Sequence, residues 1–185
     1  MARILILFAS FDGQTARIAE RIAAVSRSAG HALTVRSVDA PEAGQDIEAH
    51  DALIVGGAIR YGRFPRSLRR LARERAAAMA SRPNAFFSVC LSARWTDKGP
   101  AIVERYIAKF RAETGWQPRD TVSFAGALPY SRYNPFLRFL MRLFSAAAGG
   151  DTQTARDYEY TDWAAVERFA AGFAARLEGP RPAHV

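Results

Sequence analysis

The chain has 185 residues, 49% of them hydrophobic, which is enough for one domain with a substantial core. One cysteine and three scattered histidines exclude an internal disulfide and give no pattern typical of metal ligands, so we expect no metal. The net charge of +8 comes almost entirely from arginine and favours acidic partners, such as carboxylates, nucleic acid or an anionic membrane surface.

Short apolar runs alternate with helix-forming stretches along most of the chain. The runs predict five buried strands, at residues 3–8, 33–38, 52–57, 85–91 and 121–128. The stretches between them predict helices at 14–29, 65–80 and 100–114, and a last helix, capped by Thr161 and Asp162, that runs to about residue 177. Strands that alternate with helices form a parallel sheet covered on both faces, so the pattern predicts a doubly wound α/β fold. We expect the flavodoxin-like strand order 2-1-3-4-5, with ligands bound outside the carboxyl ends of the strands.

The alternation predicts a single domain over residues 1–178. It is interrupted by an insertion at 129–150 after the fifth strand, and we expect a flexible tail at 179–185. No apolar run approaches the length of a membrane span or a secretion signal. We therefore expect a cytoplasmic protein by default; a peripheral position on the cytoplasmic face of the inner membrane is expected only through the insertion.

The first candidate ligand loop is SFDGQT, residues 10–15, between the first strand and the first helix. Free N–H groups and the helix dipole favour an anion there, and Ser10 and Thr15 can each donate a hydroxyl. Gly13 permits close approach of the backbone. The same residue types are also common in an ordinary N-capped helix, so both interpretations stay open for this loop alone.

Two further loops follow the third and fourth strands. GGAIRYG, residues 56–62, has small residues that would let a flat ligand approach, with Tyr61 as a stacking face and Arg60 as a fixed charge. A glycine turn with a surface tyrosine is the alternative. CLSARW, residues 90–95, supplies backbone groups and an aromatic ring, and we interpret Cys90 as a core residue because no histidine lies near it in sequence.

Five short motifs carry a resemblance to a known family through their order and spacing. They are DGQT (12–15), IRYG (59–62), FFSVCLSAR (86–94), AGALPYSRY (125–133) and YTDW (160–163). The chain resembles flavodoxin-fold proteins and, more specifically, the menaquinone-dependent protoporphyrinogen IX dehydrogenases, the flavodoxin-type protoporphyrinogen oxidases of bacterial haem synthesis. The resemblance covers essentially the whole chain.

This resemblance implies an oxidoreductase that uses FMN to convert protoporphyrinogen IX to protoporphyrin IX and passes electrons to a membrane quinone, menaquinone or ubiquinone. FMN carries the redox chemistry, and the sequence shows no obvious general base, so no catalytic residue is assigned. The expected cofactor-binding residues lie in the three loops and beside the fifth strand; they are Ser10, Asp12, Gly13, Gln14, Thr15, Ala58, Ile59, Arg60, Tyr61, Gly62, Leu91, Ser92, Ala93, Arg94 and Gly126.

Asp12 stands where flavodoxins typically carry a hydroxyl, although the resembling dehydrogenases share the DGQT form. A carboxylate that faced a phosphate would repel it. We therefore expect Asp12 to turn away and to accept backbone N–H bonds within its own loop, as in an Asx turn. Ser10, Gln14, Thr15 and main-chain N–H groups would then hold the phosphate.

The insertion at 129–150 predicts a helix that starts at Asn134 and Pro135, with a polar stripe on a surface otherwise rich in Phe, Leu and Met. Such a helix fits a membrane interface, a quinone site or a hydrophobic substrate; the alternative is a helix packed on its own domain with extended arginines. The expected substrate or membrane contacts are Arg63, Arg132, Arg138, Arg142, Phe136 and Phe139.

Two other functions remain open on sequence. A flavodoxin-type electron carrier, or an FMN-dependent quinone reductase with another substrate, would use the same site, but carriers are usually acidic. A nucleic-acid module that has lost its flavin would explain the basic charge but not Tyr61 or the phosphate loop. We expect protoporphyrinogen IX, a membrane quinone and an anionic membrane surface as partners, no nucleic acid, and allow for a homo-oligomer.

Overall fold

The computed structural model describes residues 1–136, 138–139, 142–143 and 153–178, apart from the side chain of Arg132. The strands are β1 (Arg3–Ala9), β2 (Ala32–Ser37), β3 (Ala52–Ala58), β4 (Asn84–Cys90), β5 (Asp120–Ala125), β6 (Ala127–Leu128) and β7 (Tyr158–Glu159). The helices are α1 (Gln14–Ser28), α2 (Arg66–Glu74), α3 (Ala76–Ala80), α4 (Gly99–Thr114) and α5 (Trp163–Leu177). Two short 3-10 helices span Leu91–Arg94 and Tyr130–Arg132. The predicted tail at 179–185 lies outside the described residues.

Five strands form one parallel sheet in the order β2-β1-β3-β4-β5, which confirms the predicted topology. The order reverses beside β1, because the chain goes from β1 outward to β2 and then back to β3 on the other side. Crevices at such a reversal, outside the carboxyl ends of the strands, are where this class of sheet binds ligands.

The sheet is buried on both faces, and successive residues of β1 show how. Ile4 and Ile6 point into a core with Ile18 of α1 and Phe173 of α5. Their neighbours in sequence, such as Leu5, point into a second core formed with α2 and α4. This alternation of side chains is the period of two that any strand imposes, and it explains why β1 reads as continuously apolar.

The predicted helix at 65–80 is divided into α2 and α3 at Arg75. The φ angle of Arg75 is −117°, outside the α-helical range, and its guanidinium pairs with Glu48 at 3.2 Å. The break leaves the short alanine-rich α3 in a position that buries Met79 completely. The apolar pattern does not reveal the break, because the core-facing residues of α2 and α3 fit a single helical period.

The predicted fifth strand at 121–128 is also divided. β5 ends at Ala125, and after Gly126 the chain continues as β6, which pairs with β7 in a separate antiparallel two-stranded sheet. The hydroxyl of Thr161 donates to the Ala125 carbonyl at 2.7 Å and the Tyr160 N–H donates to the Gly126 carbonyl at 3.1 Å, so the returning chain binds the backbone where β5 stops. The prediction missed β7 because its two residues carry no strand pattern.

Candidate functional site

The three predicted loops meet at a cavity of about 370 Å³ at the carboxyl edge of the sheet. Twelve of the expected cofactor-binding residues line it: Ser10, Asp12, Gln14, Thr15, Ala58, Ile59, Arg60, Tyr61, Gly62, Leu91, Ser92 and Gly126. Three others, Gly13, Ala93 and Arg94, lie outside its lining. Six lining residues were not among the expected ones: Phe11, Val89, Cys90, Tyr106, Ala127 and Tyr133.

The N-terminus of α1 faces this cavity with main-chain N–H groups available. Gly13, the residue before the helix, has a left-handed φ of 92°, and no side chain caps the helix. Ser10 Oγ accepts from the Gly13 N–H at 3.0 Å, which leaves the Ser10 hydroxyl proton for another acceptor. An uncapped helix start beside hydroxyls can hold an anion, and the donors here suit a phosphate group.

Asp12 and Arg60 form an ion pair between the first and second loops. Arg60 Nη2 lies 2.5 Å from Asp12 Oδ2, and the guanidinium stacks over the Phe11 ring with Cζ 4.4 Å from the ring centre. Asp12, which we expect to turn away from a phosphate and to accept backbone N–H bonds within its own loop, also takes a charge-assisted partner from the second loop. Arg60 thereby offsets the negative charge that would repel a phosphate.

Tyr133, which sequence reasoning did not single out, contributes a phenol to the cavity. Its hydroxyl lies 3.5 Å from the same Asp12 oxygen that Arg60 contacts. Burial raises the pKa of Tyr133, the negative charge of Asp12 raises it further, and the positive charge of Arg60 offsets only part of this. The phenol therefore stays protonated and able to donate a hydrogen bond. The sequence signal for Tyr133 is its place at the end of the AGALPYSRY motif.

The second loop is a tight two-residue turn. Arg60 and Arg63 exchange backbone hydrogen bonds of 3.0 and 3.1 Å around Tyr61 and Gly62, whose φ angles are 52° and 70°. Two positive φ angles are those of a type I′ turn. Tyr61 is the one non-glycine residue with positive φ in the described ranges, and its side chain is 69% exposed. A large exposed aromatic on a costly backbone indicates a binding role.

The small residues before this turn serve the core rather than a flat ligand. Gly56 and Gly57 lie within β3 and are buried. A Cβ at Gly56 would overlap the Phe87 ring, and a Cβ at Gly57 would lie 2.6 Å from Leu68 Cδ2. These two glycines therefore let side chains from both faces of the sheet close over β3, which corrects the interpretation that they admit the ligand.

The third loop is the 3-10 helix Leu91–Arg94, held in place by α4. A Cβ at Gly99, the first residue of α4, would overlap the Ser92 carbonyl, so the two backbones are in close contact. Arg94 stacks on Tyr160, with Cζ 4.7 Å from the ring centre, and so turns its charge to the β7 side. Cys90 is buried and burial raises the pKa of its thiol, which is consistent with a core residue.

Gln14 links the first loop to the segment around β7. Its amide nitrogen donates to Thr161 Oγ1 at 2.8 Å and to Glu159 Oε1 at 3.2 Å, while Arg17 donates to its carbonyl at 2.9 Å. Partial burial raises the pKa of Glu159, but hydrogen bonds from Arg17, Gln14 and Trp163 outweigh this and hold the pKa below its ordinary value. Gln14 therefore orders the loop, besides lining the cavity.

The insertion rests on a cluster of tyrosines. The rings make contact in the order Tyr133, Tyr130, Tyr158 and Tyr160, with the centres of successive rings 6.1 to 6.2 Å apart. Arg138, expected in an exposed polar stripe, instead donates to the Tyr130 carbonyl at 3.1 Å. The Tyr130 carbonyl also accepts from the Tyr133 N–H at 3.2 Å, so Arg138 fastens the helical part of the insertion to this cluster through a shared acceptor.

Other residues of the insertion point outward. Residues 135, 136, 138, 139, 142 and 143 are helical, and the side chains of Phe136 and Phe139 are 76% and 60% exposed. Leu143 and Arg142 are exposed as well, and so is Arg63 of the turn. Phe136, Phe139 and Leu143 are spaced to share one helical face. The side chain of Arg132 lies outside the described residues.

Across the described ranges no helix is long and apolar enough to cross a membrane. In the same residues no three His, Cys, Asp or Glu side chains form a group that could hold a metal ion.

Comparisons with known proteins identify the family of this chain. Residues 5–155 match the flavodoxin domain family. A protoporphyrinogen IX dehydrogenase (quinone) of Leishmania major is 37% identical over 176 residues, which cover 94% of this chain and 75% of that protein. The protein of the same name in Escherichia coli is 35% identical over 178 residues, covering 96% and 98%. A flavodoxin variant of Pseudomonas aeruginosa has a TM-score of 0.58 at 16% identity, covering 96% of this chain and 99% of that one, and shows the shared fold alone.

Proposed function

This chain belongs to the flavodoxin-domain protoporphyrinogen IX dehydrogenases (quinone), which are oxidoreductases, and from that premise we propose that it oxidises protoporphyrinogen IX to protoporphyrin IX with FMN and transfers the electrons to a membrane quinone. The observation that carries the proposal is the cavity at the carboxyl edge of the sheet, where an uncapped helix start and an exposed Tyr61 lie together. Bound FMN supplies hydride acceptance and release at its flavin ring.

The residues of this chain bind and orient both molecules. The Ser10 hydroxyl, the Thr15 side chain and the first N–H groups of α1 hold the phosphate, and Arg60 offsets the charge of Asp12 beside it. Tyr61 offers a flat face for the ring. Tyr106 and Ile59 give the cavity apolar walls, which limit access of water to the reaction.

The electron acceptor is proposed to be reached at a membrane surface. A quinone with a lipid tail stays in the bilayer, so the enzyme must come to it. Phe136, Phe139 and Leu143 provide an exposed apolar face, and Arg142 provides positive charge on the same insertion. With a net charge of +8, this face would attach peripherally to anionic lipids of the cytoplasmic side of the inner membrane, and the reaction would serve haem synthesis.

The test is anaerobic reduction of the purified, FMN-loaded protein. Addition of protoporphyrinogen IX should bleach the flavin absorbance, and a soluble menaquinone analogue should restore it while porphyrin fluorescence grows. Flavin that protoporphyrinogen IX leaves oxidised, but that other donors reduce, would instead indicate an electron carrier or a quinone reductase with another substrate.

A further inference from the structure

Arg60 and Arg63 face each other across the turn of the second loop. Arg60 N–H donates to the Arg63 carbonyl and Arg63 N–H donates to the Arg60 carbonyl, so the two residues form an antiparallel bridge. Side chains of such a pair leave the same face of the ribbon, with Cα atoms about 5.5 Å apart. Two guanidinium groups therefore extend from one side of a single turn at the cavity rim.

This arrangement has an energetic cost that packing does not explain. Like charges directly opposite each other in a strand pair destabilise it. Tyr61 between them occupies a left-handed backbone that a side chain rarely adopts. Gly62 lies against Tyr106 of α4, where a Cβ would be 3.0 Å from Cε1, so α4 supports the turn in this position. Paired cations on a fixed turn are typical of a site for anions.

The two arginines differ in their present partners. Arg60 is bound through Nη2 to the carboxylate of Asp12. Arg63 is exposed, and no carboxylate among the residues described here lies within ion-pair distance of it. The turn thus shows one guanidinium with a carboxylate of the protein and one open to a carboxylate from outside.

We propose that Arg60 and Arg63 form a dicarboxylate fork that binds the two propionates of the substrate, and that a propionate joins Asp12 on Arg60 when the substrate enters, through guanidinium N–H groups other than those of Nη2. This inference rests on the proposed function, since protoporphyrinogen IX carries two propionates on adjacent pyrroles and only methyl and vinyl groups elsewhere on its rim. Guanidinium groups bind carboxylates through paired hydrogen bonds. The fork fixes which edge of the macrocycle stays outside and directs the apolar edge into the cavity.

The experiment compares binding of protoporphyrin IX and its dimethyl ester to the FMN-loaded protein. Both are titrated in the same detergent and followed by porphyrin fluorescence, so turnover is not needed. We expect the wild type to bind the diacid at least about tenfold more tightly than the diester. Arg63→Gln should lose most of that preference and bind the diester unchanged. Arg60→Gln should lose the preference as well, and its FMN affinity is measured separately because Arg60 also pairs with Asp12 at the cofactor cavity. Arg63→Lys should retain part of it.

The matched control is Arg70→Gln, which removes an exposed arginine of α2 away from the fork. An equal loss in Arg70→Gln and Arg63→Gln would mean that only net charge matters, and would overturn the fork. Equal binding of diacid and diester by a wild type that still oxidises protoporphyrinogen IX would overturn the fork and leave the proposed function standing. A wild type that binds neither porphyrin would overturn both. The flavin absorbance of each variant reports whether its cavity is folded.

Discussion

Gln14 and Thr161 are 147 positions apart in the chain, yet the Gln14 amide donates to the Thr161 hydroxyl at 2.8 Å. That hydroxyl in turn donates to the Ala125 carbonyl at 2.7 Å. One threonine therefore joins the first residue of α1 and the end of β5 to the segment just before α5. The carboxyl edge of the sheet, and with it the cavity, depends on this contact for its shape.

Replacing this threonine should weaken the fold without touching the core. Thr161→Val keeps the shape but leaves the Ala125 carbonyl and the Gln14 amide without this partner, so we expect the free energy of unfolding to fall by about 1–2 kcal/mol. Thr161→Ser keeps the hydroxyl and should lose much less. Urea denaturation of both variants measures the difference. Equal losses would show that the methyl group, and not the hydrogen bonds, stabilises this point.

Glu159 should make the free energy of unfolding depend on pH in the acidic range. Its pKa is below the ordinary value of 4.5, so its contribution is present above that pH and is lost as the pH falls through the lower, folded value. The difference in unfolding free energy between the wild type and Glu159→Gln should therefore be constant near neutral pH and shrink as the pH falls below 4.5. Glu20→Gln, at an exposed position of α1, serves as the control. A difference that grows on acidification would contradict the assignment.

Tyr133 should ionise later than an ordinary tyrosine. Because burial and the charge of Asp12 both raise its pKa, its phenolate should appear only well above pH 10.0. The absorbance difference between wild type and Tyr133→Phe isolates this titration. Asp12→Asn removes the negative charge and leaves the positive charge of Arg60, so it should shift the Tyr133 titration to lower pH. A titration unmoved by Asp12→Asn would show that the two groups do not interact.

A substitution of Tyr61 should weaken cofactor binding without lowering the stability of the fold. Tyr61→Asn places a residue that tolerates positive φ before Gly62, giving the preferred pair for a type I′ turn, so stability should stay the same or rise by up to about 1 kcal/mol. FMN affinity should fall, because the stacking face is lost. Thermal unfolding of the flavin-free protein and FMN fluorescence titration measure the two effects. A parallel loss of both would indicate that Tyr61 is structural.

Gly56 should be intolerant of even one methyl group. A Cβ there overlaps the Phe87 ring inside a close-packed core, so Gly56→Ala should lower the free energy of unfolding by about 1–3 kcal/mol. Gly56→Ala combined with Phe87→Leu should recover part of the loss, because the smaller side chain makes room. Chemical denaturation of the single and double variants checks this. A double variant less stable than the sum of the singles would argue against a direct clash.

The sequence was sufficient for the sheet and for the loops that follow β1, β3 and β4. Continuous apolar runs such as β1 identify buried parallel strands, and strand order then decides which loops meet. The break at Arg75 and the strand β7 were not predictable, because they arise from contacts such as that of Arg75 with Glu48 rather than from local pattern. The partner of Asp12 was missed for the same reason: Arg60 is 48 positions away, and local turn chemistry indicated a bond within the loop.

The pairing of β6 with β7 has a consequence for how this protein could have diverged. Leu128 lies opposite Tyr158, so the segment between β6 and β7 begins and ends at neighbouring points about 5 Å apart. A segment whose two ends are already held together can lengthen, shorten or be exchanged at small entropic cost, while the five-stranded sheet keeps its register. The insertion can therefore change in length and sequence while the cavity at the carboxyl edge of the sheet keeps its shape.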